Sequence, residues 1–384
     1  MHFPIREVHF FYEMETGEII KYLEEWAPPG AAWNGDNVGL QIGSRRSKTK
    51  AIFICLELNK KTLEEAIQKN CNFIFTHHPF IFKPLKKIEL STDNQTALIE
   101  DIIKNDICLY SAHTNLDFTK DGVNYELAKI LGLKNVDFLD HQKGNQVKLV
   151  VFVPNSHLTL VSEAVFSAGG GIIGEYNKCS YSLDGQGTFE GSENSFPAIG
   201  QKQKFEKIEE IRLEVLVNNW QLQKVITAII KAHPYEEPAF DIYPLQNRNV
   251  NYGSGAIGEL EKALSINDFL ALVNKNLKTE QVRYCKGKKQ KVKRIAVSGG
   301  SISDSLQAAL KVGADALVTA DVKYHTFQEA ENQILLVDAG HYETEIHSLK
   351  AVKEKITKFM RSQNVILPVH IAAASTNPTR IYKH

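Results

Sequence analysis

The sequence predicts an α/β protein: a discontinuous α/β layer domain made of two similar β/α halves, interrupted by an inserted ferredoxin-like α+β domain. Three observations predict it. Apolar runs of strand length alternate with helical periodicity towards both ends of the chain. The middle holds two β-α-β units of different character. Its flanks, HQKGNQ (141–146) and QNRNVNYGSG (246–255), are polar and Gly-containing, as linkers are. The expected division is 14–144 and 248–384 for the two halves and 145–247 for the insertion.

The first helix falls over Glu15–Trp26 and is stopped by Pro28, Pro29 and Gly30. Ala51–Leu58, Cys71–Thr76 and Asp106–Ser111 read as strands, and Lys60–Lys69, Ala97–Lys104 and Asn124–Leu131 as helices. The pattern returns with strands at Arg294–Val297, Ala316–Thr319 and Ile334–Val337. The helices there are Asp304–Val312, Tyr324–Glu331 and a long one from His341 onward. In the insertion, strands at Lys148–Val153, Arg212–Val217 and Ala239–Leu245 alternate with helices at Leu158–Ala168 and Leu222–Lys231. Residues 184–204, rich in Gly, Ser and Gln, read as a loop or hairpin excursion.

With 384 residues the chain exceeds one ordinary domain. Lys+Arg and Asp+Glu both number 45, so no charge excess draws it to nucleic acid or an anionic membrane. No apolar run is long enough to span a bilayer. MHFPIREVHF lacks the basic and apolar regions of a signal peptide. Residues 1–13 read as a short extension, with Met14 an alternative start. Five cysteines, none in C-x-x-C spacing, argue against a disulfide framework or thiolate zinc site and fit a reducing, cytoplasmic setting.

Chemistry concentrates at three strand ends. FIFTHHP carries His77 and His78, LYSAHTNLD carries His113 and Asp117, and LLVDAGHYETE carries His341 and Glu345. Open α/β sheets place ligands at the carboxyl ends of their strands, where the βα loops converge. His341 and Glu345 stand at i, i+4 and share one helix face. The adjacent rings of His77 and His78 diverge, so they serve two neighbouring ions better than one, with Asp117 able to bridge. Imidazole and carboxylate without thiolate suit Zn, Mn, Fe, Co or Ni. A lone histidine is more often packed or surface-exposed than a ligand; three converging strand ends change that balance. His113 is a ligand, a partner of a ligand, or polar lining. His325, in TADVKYH, is a candidate general acid or base. The Gly turn in VSGGSISDS (297–305) is either an anion cradle or a tight structural turn. HPYEEPAFDIY (233–243) reads as structural.

These segments resemble the GTP cyclohydrolase 1 type 2 homologues, also called NIF-three-like proteins. GDNVGLQIG, FTHHPFIF, SAHTNLD, VSGGS, ALVTADVKYH and DAGHYETE occur in the family's order, and the likeness runs from about Glu15 over nearly the whole chain. HPYEEPAFDIYPL resembles the family's middle insertion, which is similar to the PII/CutA fold. The resemblance implies two divalent ions per chain, zinc first among the candidates. Their ligands would be His77, His78, Asp117, His341 and Glu345, with His113 close by. It also implies a ring-shaped homohexamer, with the insertion over the ring's opening. One departure is Asn34-Gly35 after Trp33, where the family commonly runs from Trp into Asp-Asn.

Two functions follow. The first is a metal-dependent hydrolase acting on a nucleotide or related heterocycle; in the GTP version the guanine ring opens and formate is lost. A phosphoester substrate is its sister. The second is a non-catalytic metal- or nucleotide-binding assembly that works through partners.

Overall fold

Two sheets of short apolar strands form the frame that positions the site. The computed structural model describes residues 13–89, 94–301 and 305–382. The expected extension up to residue 12 and residues 302–304 of the Gly turn lie outside them. The chain divides into two compact units, one made of residues up to Asp140 and from Gly253 onward, the other of His141–Tyr252.

In the larger unit, a five-stranded sheet has the order Val369–Ile371, Ile52–Cys55, Phe73–Thr76, Cys108–Ser111, Gly39–Ile42. The first four strands are parallel and the last antiparallel. Ile52–Cys55, Phe73–Thr76 and Cys108–Ser111 are buried at every position. That explains their continuous apolar runs: a parallel strand covered on both faces has no polar side to alternate with. A six-stranded sheet has the order Arg283–Cys285, Leu335–Asp338, Ala316–Thr319, Lys291–Val297, Arg248–Ser265, Lys134–Lys143. Its three parallel strands are Lys291–Val297, Ala316–Thr319 and Leu335–Asp338.

Helix ends follow local chemistry. Asn59 caps Lys60–Gln68 by accepting the Thr62 N–H at 3.1 Å, and Ser265 caps Ile266–Leu277 by accepting that of Asp268 at 3.2 Å. Thr16–Trp26 buries Ile19, Ile20 and Leu23 and stops before Pro28. The single long helix expected from His341 is instead two, His341–Glu345 and Ser348–Ser362. The Thr344 hydroxyl donates to the His341 carbonyl at 2.9 Å. Leu349 and Lys350 then donate to residues three back, at 3.4 and 3.3 Å, so the chain tightens where the helices meet.

The smaller unit runs strand–helix–strand–strand–helix–strand. Its antiparallel sheet has the order Phe240–Leu245, Gln146–Pro154, Phe205–Asn218, Ser180–Glu190. Leu158–Ser167 and Leu222–Ala232 supply Val161, Val165, Val225 and Ile229 to a core with Leu149, Val151, Leu213 and Val215. Part of the expected loop is strand: Asp184 pairs with Ile211, and Glu190 with Phe205. Main-chain bonding needs no apolar side chain, and this strand is mostly exposed. The two polar flanks read as linkers are also largely strand, within Lys134–Lys143 and Arg248–Ser265. His233 is structural, its Nε2 2.9 Å from the Phe152 carbonyl oxygen.

Candidate metal centre

Both sheets of the larger unit send strand ends to one place. After Phe73–Thr76, the N–H groups of His77 and His78 donate to the carbonyls of Cys55 and Leu56, at 3.2 and 2.9 Å. The His77 N–H keeps the ladder's alternation, but that of His78, bonding the same segment, marks a bend where the chain leaves it, and the two rings, expected to diverge, stand with centroids 4.8 Å apart. Hydroxyls of Thr76 and Ser111, 2.6 Å apart, tie the neighbouring strand ends together. His113 follows Cys108–Ser111, and Asp117 closes the one-turn helix Thr114–Asp117. From the second sheet, Asp321 follows Ala316–Thr319, and His341 and Glu345 bound the short helix after Leu335–Asp338.

The four imidazoles share one arrangement. Nδ1 of His77 lies 2.9 Å from the Ala112 carbonyl oxygen, and Nδ1 of His78 lies 2.9 Å from Glu57 Oε1. Nδ1 of His113 is 3.0 Å from Asp36 Oδ1, and Nδ1 of His341 is 2.7 Å from Asp321 Oδ2. A carbonyl or ionised carboxylate can only accept, so each Nδ1 must carry the proton, leaving Nε2 to face the cluster. Outer partners of this kind fix ring and tautomer in metal sites.

Glu345, 3% exposed, sits among these rings. Its Oε1 is 3.1 Å from His341 Nε2 and 3.7 Å from His77 Nε2, and its Oε2 is 3.1 Å from His78 Nε2. Asp117 Oδ1 stands 3.6 Å from His77 Nε2. The ring of His113 lies 5.4 Å from that of His77 and 5.5 Å from that of His78, centroid to centroid. Ligand atoms approach within 4.8 Å in two groups, His77/His78/His113 and His78/His341/Glu345, each of which can hold a metal ion. Buried His77 Nε2 and Asp117 Oδ1 have no hydrogen-bond partner among the described residues, and Glu345 Oε2 has only the ion-pair contact with His78 Nε2 at 3.1 Å. A buried polar atom without a partner is costly, and a cation bound among these three would relieve it. The donor set therefore fits divalent ions.

Titration follows the packing. Burial pulls His77 below the usual imidazole range. Burial also opposes charge on His78, but Glu345 and Glu57 outweigh it and raise the ring to about 10. The bond to Glu345 raises His341 to about 9. Burial, with the nearby charge of Glu345, pushes Asp117 well above the carboxylate range. Burial opposes ionisation of Glu345, yet the surrounding imidazoles hold it well below that range.

Sequence reasoning missed the outer carboxylates as partners. Glu57 lies two residues beyond Ile52–Cys55, at the strand end the topological rule already marks. Asp36, within the quoted GDNVGLQIG, also accepts from the Thr114 N–H at 3.1 Å and from its hydroxyl at 2.5 Å. Asp321 adopts a left-handed φ of 54°. His325 is exposed on the helix Tyr324–Ala330, with Nδ1 3.0 Å from Gln328 Oε1. The Gly turn meets the cluster in a way not expected. The Gly299 N–H already donates to Asn124 Oδ1 at 2.8 Å and that of Gly300 to Thr344 Oγ1 at 3.1 Å, so neither is free for an anion. Gly300 has φ 59°, and a Cβ there would collide with Glu345 Oε1. The turn is glycine because the carboxylate occupies that space.

A cleft of about 1100 Å³ opens beside His78 and His341. Glu57, Asp321, Tyr342 and Glu343 line it, together with Asn377 and Arg380 of the C-terminal segment. His325 is not among its lining residues.

Fold and site define an α/β protein whose buried histidine–carboxylate cluster can hold metal beside an open cleft. The chain belongs to the Duf34/NIF3 (NGG1p interacting factor 3) family, whose profile matches residues 14–378. It is 37% identical over 362 residues to the GTP cyclohydrolase 1 type 2 homolog of Halalkalibacterium halodurans, covering 94% of this chain and 97% of that one. The Bacillus subtilis protein of the same name is 36% identical over 364 residues, with 94% and 97% covered. Among solved structures, a Bacillus cereus protein related to NIF3 is 35% identical and superposes with a TM-score of 0.79, covering 96% of this chain and 99% of that one.

Proposed function

We propose that this chain is a dinuclear metal-dependent hydrolase acting on a nucleotide or related heterocycle. The observation that carries the reading is the shared arrangement of four imidazoles: every Nδ1 is tied outward and every Nε2 is left for the buried carboxylate cluster. His77, His78, Asp117, His341 and Glu345 would hold two ions, with His113 alongside. Divalent ions held there, zinc first among the candidates, would supply an acidified water and a Lewis acid for the substrate's electrophilic centre. The chain's own residues do the rest. Ala112, Glu57, Asp36 and Asp321 hold the rings in register, and Gly300 keeps side-chain bulk away from Glu345. The cleft supplies room for a substrate. The rival reading is a non-catalytic metal- or nucleotide-binding assembly acting through partners, which would close its metal shell whereas an enzyme keeps a position open.

The names of the two relatives point the same way, towards GTP cyclohydrolase chemistry. The proposal extends to a homohexameric ring and to a ferredoxin-like, PII/CutA-like reading of His141–Tyr252, supported by its element order. Five free cysteines suit a reducing cytoplasm. Among the described residues no helix is long and apolar enough to cross a membrane.

Elemental analysis of the purified protein beside a His78→Ala/His341→Ala variant tests the centre. Near two transition-metal ions per chain, lost in the variant, supports it and justifies screening nucleotide hydrolysis with that metal. No stoichiometric metal after reconstitution sinks it.

A further inference from the structure

One fully buried amide joins the two halves of the cluster. Asn124 is the second residue of the helix Val123–Ile130 and has no exposed surface. Its Nδ2 donates to the Asp117 carbonyl at 2.8 Å, and its Oδ1 accepts the Gly299 N–H at 2.8 Å. These partners fix which way the amide points, because a carbonyl only accepts and an N–H only donates. Asparagine is a weak helix former, and its amide is costly to bury without partners. Both of its bonds go to main-chain atoms of other segments, one in each half of the chain.

The turn that Asn124 grips is held from the opposite side as well. Thr344 Oγ1 accepts the Gly300 N–H at 3.1 Å and donates to the His341 carbonyl at 2.9 Å. The Gly300 carbonyl accepts from the Ala320 N–H at 3.2 Å and from the Thr319 hydroxyl at 3.3 Å. Gly299–Gly300 therefore stands between the backbone of Asp117 and that of His341, with Glu345 Oε1 in the space a Cβ of Gly300 would fill. The two carboxylates related by this brace meet at one atom: Asp117 Oδ1 is 3.6 Å and Glu345 Oε1 3.7 Å from His77 Nε2. Each imidazole has an outer acceptor at its Nδ1, whereas Asp117 Oδ1 has no donor among the described residues. The place of that carboxylate follows from its main chain, which is what Asn124 holds.

We infer that Asn124 is a positioning residue and that the Gly299–Gly300 turn is the spacer it works through, setting the separation of Asp117 from Glu345 and with it the spacing of the two ions. This rests on the dinuclear reading above for the ions themselves. Asn124→Leu, similar in size, removes both bonds, and Thr344→Val removes the opposite brace while keeping the side chain's shape. Manganese(II) calorimetry on the full-length stripped protein, EPR of the loaded protein, and crystal structures of the metal-free unmodified and variant proteins test it. The metal-free thermal midpoint is recorded for each. In Asn124→Leu, one of the two binding steps should weaken about tenfold or more, as loss of an outer partner does, and the other by clearly less. The magnetic coupling between the two manganese ions should change. Asp117 should shift relative to Glu345 by about 0.5 Å or more, the tolerance of a functional site. Two steps that weaken together, or carboxylates that do not move, overturn the inference and leave Asn124 a buried structural amide whose whole effect is a lower midpoint. Should Asn124→Leu not fold, the same outcomes are read from Thr344→Val. Unmodified protein that takes up no manganese fails the dinuclear reading instead, and the shift of Asp117 in the metal-free crystals still decides the role of Asn124.

Discussion

At the scale of single residues, the centre depends as much on what holds the rings as on the rings themselves. Glu57 fixes His78 through Nδ1, so Glu57→Ala should weaken metal binding by about 10- to 100-fold, and Glu57→Gln, which keeps an acceptor, by less. Competition against a chromophoric chelator reads this directly. Gly300→Ala should also lower metal occupancy, because its methyl would occupy the space of Glu345 Oε1. Charge adds a pH dependence. Without metal, His78 near 10 and His341 near 9 are imidazolium at neutral pH. Each must lose a proton to bind an ion, so metal affinity should rise with pH through neutrality and level off once both rings are neutral. Calorimetry in buffers of different ionisation enthalpy should register proton release, and none would contradict the protonated starting state. The sequence exposed the inner residues through their type and position at strand ends. It hid Glu57 and Asp36, because an acidic residue beyond a strand looks the same whether it meets solvent or a ring brought in from a distant segment. His325 shows the reverse: its residue type and strand-end position marked it, and the fold leaves it exposed and bonded to Gln328. His325→Ala should accordingly change turnover little beside His341→Ala in a steady-state assay.

At the scale of elements, patterns were readable where one face or both faces are buried. The fully buried strands appear as unbroken apolar runs, and Ala316–Thr319 has the same limits in sequence and structure. Strands held mainly by main-chain bonds were opaque. Arg248–Ser265 begins with Arg-Asn-Val-Asn, which reads as a turn, yet Asn249 is fully buried. Its amide donates to Asn145 Oδ1 and Asn218 Oδ1, both at 3.1 Å, and Gln146 joins through Asn218 at 3.1 Å. This polar knot sits where composition signalled a linker. Asn249→Ala would leave buried acceptors unsatisfied and should destabilise the smaller unit by about 1–3 kcal/mol. Urea unfolding followed by a probe within that unit would measure it. The break after Glu345 was equally hidden, because it arises from Thr344 bonding both His341 and Gly300 rather than from a helix-breaking residue.

At the scale of the whole chain, alternation of strands and helices was enough to place three ligand-bearing strand ends at one edge. It did not reveal that they belong to two separate sheets, since pairing partners at sheet edges are not written in local periodicity. Ligands drawn from two sheets tie metal binding to folding, because an ion that binds only the assembled site stabilises it. Chelation should therefore lower the thermal midpoint by several degrees, in line with the effect of a few kcal/mol on a chain of this size. The same treatment should leave the His78→Ala/His341→Ala variant unmoved. Calorimetric scans with and without chelator make the comparison.

The order in which these ligands occur along the chain has a consequence for biogenesis. His77, His78 and Asp117 emerge from the ribosome early, but His341 and Glu345 come only after the entire His141–Tyr252 unit has been made. Thr376, which shares Glu57 with His78, comes later still. A nascent chain thus carries half a cluster while the whole His141–Tyr252 unit is being made, and the complete set exists only after Glu345 has emerged. On the proposed function, metal acquisition would accordingly follow synthesis of the His141–Tyr252 unit, and a message truncated before His341 should yield a product that cannot be rescued by supplying the ion.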